Sequence, residues 1–192
     1  MTEIQLKKQK LLEQLYQPYK NCTRCPLGFL GRTNVVFGAG NPDARLMFIG
    51  EGPGREEDAQ GLPFVGKSGA LLNKLLELHG IHRADIFITN IVKCRPPDNR
   101  RPLHNEMNVC KKLLLVHQIK IINPQIICTL GSTALAGLLE SDVKITQLRG
   151  KLIQFGSMQL LPTYHPAYVL RNPKELLNLA HDIEQLAALF QQ

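Results

Sequence analysis

The sequence predicts an α/β fold, a mostly parallel sheet covered by helices on both faces, in a single domain over residues 1–192. Three observations carry this. Short apolar runs bounded by glycine or proline alternate with longer leucine-rich stretches of helical spacing through the middle of the chain. Strands separated by helices pair in parallel, and a parallel sheet must hide both faces. A length of 192 residues suits one core, which buries about 70% of the unfolded surface. The 44% hydrophobic and 20% charged residues lie near the globular average, against disorder, collagen or coiled coil.

From the N-terminus, Ile4, Leu11, Leu12 and Leu15 fall on one face of a helix that Pro18 ends, before the turn Cys22-Thr23-Arg24-Cys25-Pro26. Residues 27–43 are rich in glycine and asparagine and predict a loop. Residues 45–49 predict a buried strand between Pro42 and Gly50, and a long polar loop follows over 51–66. Residues 68–79 place Leu71, Leu72, Leu75, Leu76 and Leu78 at helical spacing, with Gly80 where a C-cap glycine belongs. A second strand is expected over 85–92, a helix over 103–122, a third strand over 125–130 and a helix from Ser132. Residues 149–164 predict one or two strands with a turn at Gly156-Ser157. A last helix over 174–190 presents Leu176, Leu179, Ala180, Ile183, Leu186, Ala187 and Phe190 to the core. In such sheets, sites form beyond the C-terminal ends of the strands. The segments 51–66, 90–97 and 164–172 occupy that place.

No apolar run approaches the ~20 residues that cross a bilayer. Residues 1–10 are polar, with no apolar signal core, so a cytoplasmic protein without membrane contact is expected. Lysine and arginine outnumber acids 23 to 16, a formal +7, which favours polyanionic partners. Five cysteines in an unexported chain do not suit a disulfide framework, and the odd count leaves one unpaired. Metal ligation is the better question.

Three motifs resemble known sites and fail on context. Gly61-Leu62-Pro63-Phe64-Val65-Gly66-Lys67-Ser68 spells the phosphate-loop pattern and precedes a helix. That loop needs an apolar strand just before it, whereas Arg55-Glu56-Glu57-Asp58 stands there, and its acids repel a triphosphate. Gly50-Glu51-Gly52-Pro53-Gly54 begins like a dinucleotide fingerprint, but position 55 is Arg, and a tight turn explains the glycines. His104-Asn105-Glu106 beside a Cys-x-x-Cys has the parts of a zinc deaminase in the wrong order.

The cysteines remain. The spacing of Cys22 and Cys25 lets neighbouring thiolates face one metal centre. Cys94 follows the second strand, Cys110 lies on the next helix, and Cys128 inside an apolar strand reads as core filler. Four ligands and one bystander is the economical count. Four thiolates suit structural zinc and a [4Fe-4S] cluster alike.

With the cysteine set, the Gly50–Gly54 loop, Lys93-Cys94-Arg95-Pro96-Pro97 and Tyr164-His165-Pro166-Ala167-Tyr168-Val169-Leu170-Arg171 in one chain, the sequence resembles the family 4 uracil-DNA glycosylases. The likeness runs from about residue 22 to 186, with the motifs in the family's order. It implies a three-layer α/β/α sandwich around a four-stranded parallel sheet. It also implies a DNA repair enzyme that flips out a nucleotide, hydrolyses the N-glycosidic bond of uracil and leaves an abasic site. A [4Fe-4S] cluster held by Cys22, Cys25, Cys94 and Cys110 is implied as well. Four thiolates and a 2+ core would bring the formal +7 to about +5, still basic.

By the same resemblance Phe64 stacks on uracil, Asn90 reads O4 and N3–H, and His165 donates to O2 as the ring takes up charge. Gly50 and Gly52 belong to the pocket. In other uracil-DNA glycosylases an Asp or Asn orients the attacking water, and Gly52 stands at that place here. Glu51 and Glu57 are therefore the candidates to order water or stabilise the cationic sugar, with Glu57 alternatively excluding thymine's methyl group. Glu56 and Asp58 read more simply as exposed loop acids. Tyr168, Val169 and Leu170 are implied as the wedge in the emptied stack, and Arg171 as a phosphate contact. Arg95, Arg100 and Arg101, beside Cys94, make a basic loop suited to phosphates.

The expected partner is uracil-containing DNA and the expected state a monomer; contact with a replication clamp leaves no signature in the chain. Residues 94–102 lack the basic insertion of a related branch that crosslinks to the abasic sugar, so turnover is expected. The competing reading is a non-catalytic, metal-stapled nucleic-acid-binding module, which the charge and the cysteine pair also suit.

Overall fold

A computed structural model describes residues 1–191. Its strands are β1 (Ala39–Gly40), β2 (Leu46–Gly50), β3 (Phe87–Asn90), β4 (Ile126–Leu130), β5 (Ile153–Phe155) and β6 (Met158–Thr163). They form one sheet in the order β1-β3-β2-β4-β6-β5. The central strands β3, β2, β4 and β6 are parallel, as expected. Two short antiparallel edges, β1 and β5, extend the sheet beyond the expected four strands.

The helices are α1 (Glu3–Tyr16), α2 (Arg55–Gln60), α3 (Lys67–Leu78), α4 (His104–Cys110), α5 (Val116–Ile122), α6 (Ser132–Leu139), α7 (Ile145–Leu148), α8 (Pro166–Arg171) and α9 (Leu176–Phe190). Side-chain alternation along β2 explains the three layers. Leu46 and Phe48 pack with Leu72 and Leu76 of α3 and Leu179 and Ile183 of α9. Met47 and Ile49 face the other way, toward Leu12 of α1, Ile119 of α5 and Leu135 of α6. Cys128 on β4 is fully buried in the first of these cores.

Four expectations change. On α1 only Leu12 is buried, while Ile4 and Leu11 are exposed, so its apolar stripe is narrower than the spacing suggests. The segment 51–66 is not all loop but contains α2. The helix over 103–122 is interrupted by a π-helical turn, Lys111–Leu115, directly after Cys110. The segment 164–172 is largely helical: His165 is the N-cap of α8 and Pro166 its first residue, where proline's missing N–H costs nothing. Among the described residues, no helix is long and apolar enough to cross a membrane.

Candidate active site

The C-terminal ends of the parallel strands open into a cavity of about 530 Å³, lined by Glu51, Gly52, Phe64, Asn90, Tyr164 and His165 among others. Asn90 ends β3 and is 1% exposed. Its Oδ1 is buried with no hydrogen-bond partner among the described residues. An orphaned buried acceptor costs about 1–3 kcal/mol, which makes this atom the place where a ligand donor belongs. Gly50 of β2 lies opposite Asn90 in the sheet register. A Cβ at Gly50 would overlap the Asn90 amide oxygen and approach Phe64 Cζ to 2.7 Å, so only glycine lets both groups converge.

Phe64 is held in a left-handed conformation, φ 54°. Such strain costs on the order of 1–3 kcal/mol and persists only where surroundings over-determine it. Arg83 supplies that: it donates to the Phe64 carbonyl at 3.2 Å, to the Pro63 carbonyl, and to Asn73 Oδ1 at 2.9 Å. Gly69 on α3 allows the Phe64 carbonyl to pack against the helix. The Phe64 and His165 rings face the same cavity with centroids 5.6 Å apart.

Glu57 is buried, and its carboxylate accepts from the N–H groups of Val65 and Gly66 at 2.9 Å each and of Gly54 at 3.1 Å. This explains the phosphate-loop look-alike: the N–H groups that would cradle a phosphate are occupied by the chain's own carboxylate. Asp58, expected as an exposed loop acid, is also buried, because it accepts from the N–H groups of Thr33 and Asn34. Glu56 is exposed. Glu51 lines the cavity, and among the described residues its carboxylate has no hydrogen-bond or ion-pair partner. Gly52 contributes main chain only: a Cβ there would lie 2.8 Å from Val92 Cγ2.

His165 follows β6. Its Nδ1 accepts the Ala167 N–H at 3.1 Å, which puts the ring proton on Nε2. Burial, with the charge of Arg171 adding to it, lowers the imidazole pKa to about 4. The ring is therefore neutral across the physiological range. Beneath it, Thr163 donates to buried Asp182 at 2.6 Å, and Arg149 forks onto the same carboxylate at 2.5 and 3.0 Å, tying the end of β6 to α9.

Of the residues expected to meet DNA, Tyr168 and Leu170 are exposed on α8, whereas Val169 is 2% exposed and sits in the core. Arg171 is exposed at the cavity rim. Arg101 is exposed, and Arg95 donates to Asn99 Oδ1 at 2.8 Å. Arg100 is committed to the fully buried Glu106 through two bonds of 2.7 and 2.9 Å. That fork holds the Glu106 carboxyl below the usual range. Glu106 also accepts from Leu103 N–H, so it caps α4, and His104 is an exposed helix residue.

Cys22 and Cys25 lie in the turn after α1, Cys94 follows β3 and Cys110 ends α4; all four pack into one apolar cluster. All are free thiols. Burial raises the Cys94 pKa to about 11, with Cys25 and Cys22 pushing the same way, and raises Cys110 to about 12. Arg32 opposes the rise at Cys94, donating from Nε to Sγ at 3.1 Å. The Lys93 ammonium and main-chain N–H oppose it at Cys110. Among the described residues, no three His, Cys, Asp or Glu side chains are grouped as ligands of a metal ion.

Sequence reasoning missed the residues that hold this site: Arg83 under Phe64, Glu57 as a backbone clip, and the buried Lys93. Only Glu57 left a signal. Its place three residues after Gly54 is the spacing of an N-terminal helix clamp, and the structure uses it so.

The fold and cavity define a class. Residues 37–190 match the family model of the uracil DNA glycosylase superfamily. The chain is 48% identical to a type-4 uracil-DNA glycosylase of Thermotoga maritima, over 93% of this chain and 94% of that one. It is 41% identical to one from Sulfurisphaera tokodaii, over 93% and 84%, and 36% identical to one from Archaeoglobus fulgidus, over 93% and 92%. The chain belongs to the type-4 uracil-DNA glycosylase family.

Proposed function

We propose that the protein excises uracil from DNA by hydrolysing its N-glycosidic bond, leaving an abasic site and turning over without a covalent DNA adduct. The observation that carries this is the partnerless Asn90 Oδ1 in a cavity shared with the Phe64 ring and a neutral His165.

A duplex hides the bond, so the nucleotide must swing out at a cost of a few kcal/mol. Phe64 stacks on the extruded ring, a contact worth about 1–3 kcal/mol. The Asn90 amide accepts from uracil N3–H and donates to O4; cytosine presents the reverse pattern and leaves buried groups unpaired. As the bond breaks, negative charge develops on uracil, and the His165 Nε2–H donates to O2. That bond strengthens with the charge, so it favours the transition state over the ground state. The low pKa suits the role, because the imidazole stays a neutral donor. Glu51, unpartnered at the cavity, is the better placed carboxylate to order water or face the cationic sugar. Glu57 is committed to three backbone N–H groups and acts through the loop it holds.

Tyr168 and Leu170 enter the emptied stack, and Arg171, Arg95 and Arg101 meet phosphates. Buried Val169 supports α8 from below, and Arg100 braces the loop through Glu106. The partner is uracil-containing DNA, met by a monomer at the nucleoid in the cytoplasm.

Cys22, Cys25, Cys94 and Cys110 hold a [4Fe-4S] cluster. The donor set fits: four sulfurs, no carboxylate among them, and two cations beside them. A 2+ core with four thiolates carries a net 2− charge, and Arg32 and Lys93 oppose it. Bound, the cluster supplies a staple joining the N-terminal turn, the Cys94 loop and α4, and no step of hydrolysis passes through it.

Incubation with a uracil-containing oligonucleotide followed by alkali tests the activity. Strand cleavage is expected, and an uncut strand where a control glycosylase works rejects the reading. A brown protein absorbing near 400 nm supports the cluster, and a colourless one with stoichiometric zinc rejects it.

A further inference from the structure

Lys93 is 1% exposed and is among the largest fully buried side chains of the protein. Among the described residues no carboxylate pairs with it. A buried ammonium without a counter-charge is expensive, and a methionine would fill the same volume at less cost. What it touches is therefore informative. Its Nζ donates to the main-chain carbonyl of Asn90 at 2.7 Å and to Thr89 Oγ1. The Thr89 hydroxyl passes the chain on to the Phe37 carbonyl at 2.8 Å, where buried Gln118 also donates at 2.8 Å. All three side chains, Lys93, Thr89 and Gln118, are essentially inaccessible.

This network lies directly beneath the cavity. It grips the last two residues of β3, and Asn90 is the second of them. Lys93 itself faces the cysteine corner with its main chain: its N–H lies toward the Cys110 sulfur, its carbonyl accepts from Val36 N–H at 2.7 Å, and its neighbour is Cys94.

We infer that Lys93 is a positioning residue for base recognition, holding the peptide of Asn90 so that its amide meets uracil, and joining the four-cysteine corner to the pocket. The inference rests on the function proposed above. A one-ångström error in a reading group costs far more than its distance suggests, because both amide bonds to uracil fail together. Lys93 does not touch the base; it acts through Asn90.

Lys93→Met in the iron-loaded protein tests this. Expected are an inhibition constant for free uracil raised by at least about tenfold, the loss when a buried bond to a charged group goes, and kcat/KM lowered in step. Binding to uracil-free duplex, iron per chain and the urea midpoint should hold or, for the midpoint, rise. Thr89→Val, which removes one of the two acceptors, should shift uracil inhibition the same way by a few-fold. In amide proton–nitrogen correlation spectra, both variants should move the Ile91 N–H and the Asn90 side-chain amide. A Lys93→Met protein with full iron and unchanged uracil inhibition overturns the inference. So does a lowered urea midpoint with unchanged inhibition, the mark of a merely structural lysine. Should Lys93→Met fail to fold, unchanged inhibition and unchanged Asn90 resonances in Thr89→Val overturn it alone. Loss of excision in the wild type would reject the functional reading instead, and the Asn90 resonances would still report the contact.

Discussion

The cavity at the strand ends and the cysteine corner stand at the two ends of one short segment, Asn90 to Cys94, yet they are finished differently. In the cavity nearly every group is tied down by the chain itself: Phe64 by Arg83, the loop around it by Glu57, and His165 by Ala167. The atoms left free are those that would meet a ligand, Asn90 Oδ1 first among them. In the corner, four thiols from three distant parts of the chain share one environment, where Arg32 donates to the Cys94 sulfur and main-chain N–H groups lie toward Cys25 and Cys110. The cavity is preorganised by protein; the corner, on the proposed reading, would be completed by a cluster. Preorganisation of this kind lets an electrostatic site work without reorganising during reaction.

If the comparison is right, the two regions should fail differently. Cys94→Ala should have the largest effect, since a metal centre's binding energy is also folding energy. Loss of the chromophore near 400 nm and a drop in thermal midpoint are expected, with activity lost as structure is lost. His165→Ala should cost about 10²–10³-fold in single-turnover excision, the usual loss when one preorganised donor is removed. Colour, thermal midpoint and DNA affinity should stay close to wild type. A colourless His165→Ala protein would break the distinction.

The pH dependence sharpens it. The His165 pKa falls from 6.5 unfolded to about 4 folded. Above pH 6.5 both states are neutral and the folded state keeps its full stability. As pH falls from 6.5 toward 4 the unfolded chain binds the proton first, so stability declines, by a few kcal/mol in all. Urea midpoints across that range should fall in the wild type and fall less in His165→Ala. Excision, by contrast, should show no loss assignable to this imidazole until near pH 4. A kinetic pKa near 6.5 that disappears in the variant would contradict the neutral donor.

Glu57→Gln removes one of the two carboxylate oxygens and the charge that three N–H groups converge on. Bonds to charged groups contribute about 1.5–3 kcal/mol, and the amide retains part of this. A loss of ~1–2 kcal/mol in urea is expected, with excision reduced through the loosened Phe64 loop and the iron content unchanged. If Glu57 instead ordered the water, activity would collapse with stability intact.

What the sequence made legible follows from the range of the interactions. The parallel core was readable because apolar runs and leucine periodicity are local signals; Asn90 and His165, which the fold brings to one cavity, were named through the family resemblance. Arg83 reaches a carbonyl 19 residues away and Gln118 one 81 residues away, and no local pattern announces such pairs. Lys93 was passed over for a similar reason: a lysine between Val92 and Cys94 reads as charge on a loop until the fold buries it. α8 was hidden by its own cap. His165 before Pro166 carried the signal of a helix start, but a short polar stretch reads as loop when proline is taken only as a breaker.

That helix supplies the smallest and most discriminating effect. Leu170 is 47% exposed, so Leu170→Ala should change stability by no more than about 0.5 kcal/mol. Val169, one residue earlier, is 2% exposed, and Val169→Ala should lower the urea midpoint through the cavity it leaves. If Leu170 fills the emptied stack, its loss matters only where there is a stack to empty. Excision from duplex should fall a few-fold, while excision from single-stranded DNA stays level, because an unpaired uracil needs no wedge. A stability loss equal to that of Val169→Ala would put Leu170 in the core. Equal losses on both substrates would remove it from the wedge and leave Tyr168 as the exposed α8 side chain able to fill that role.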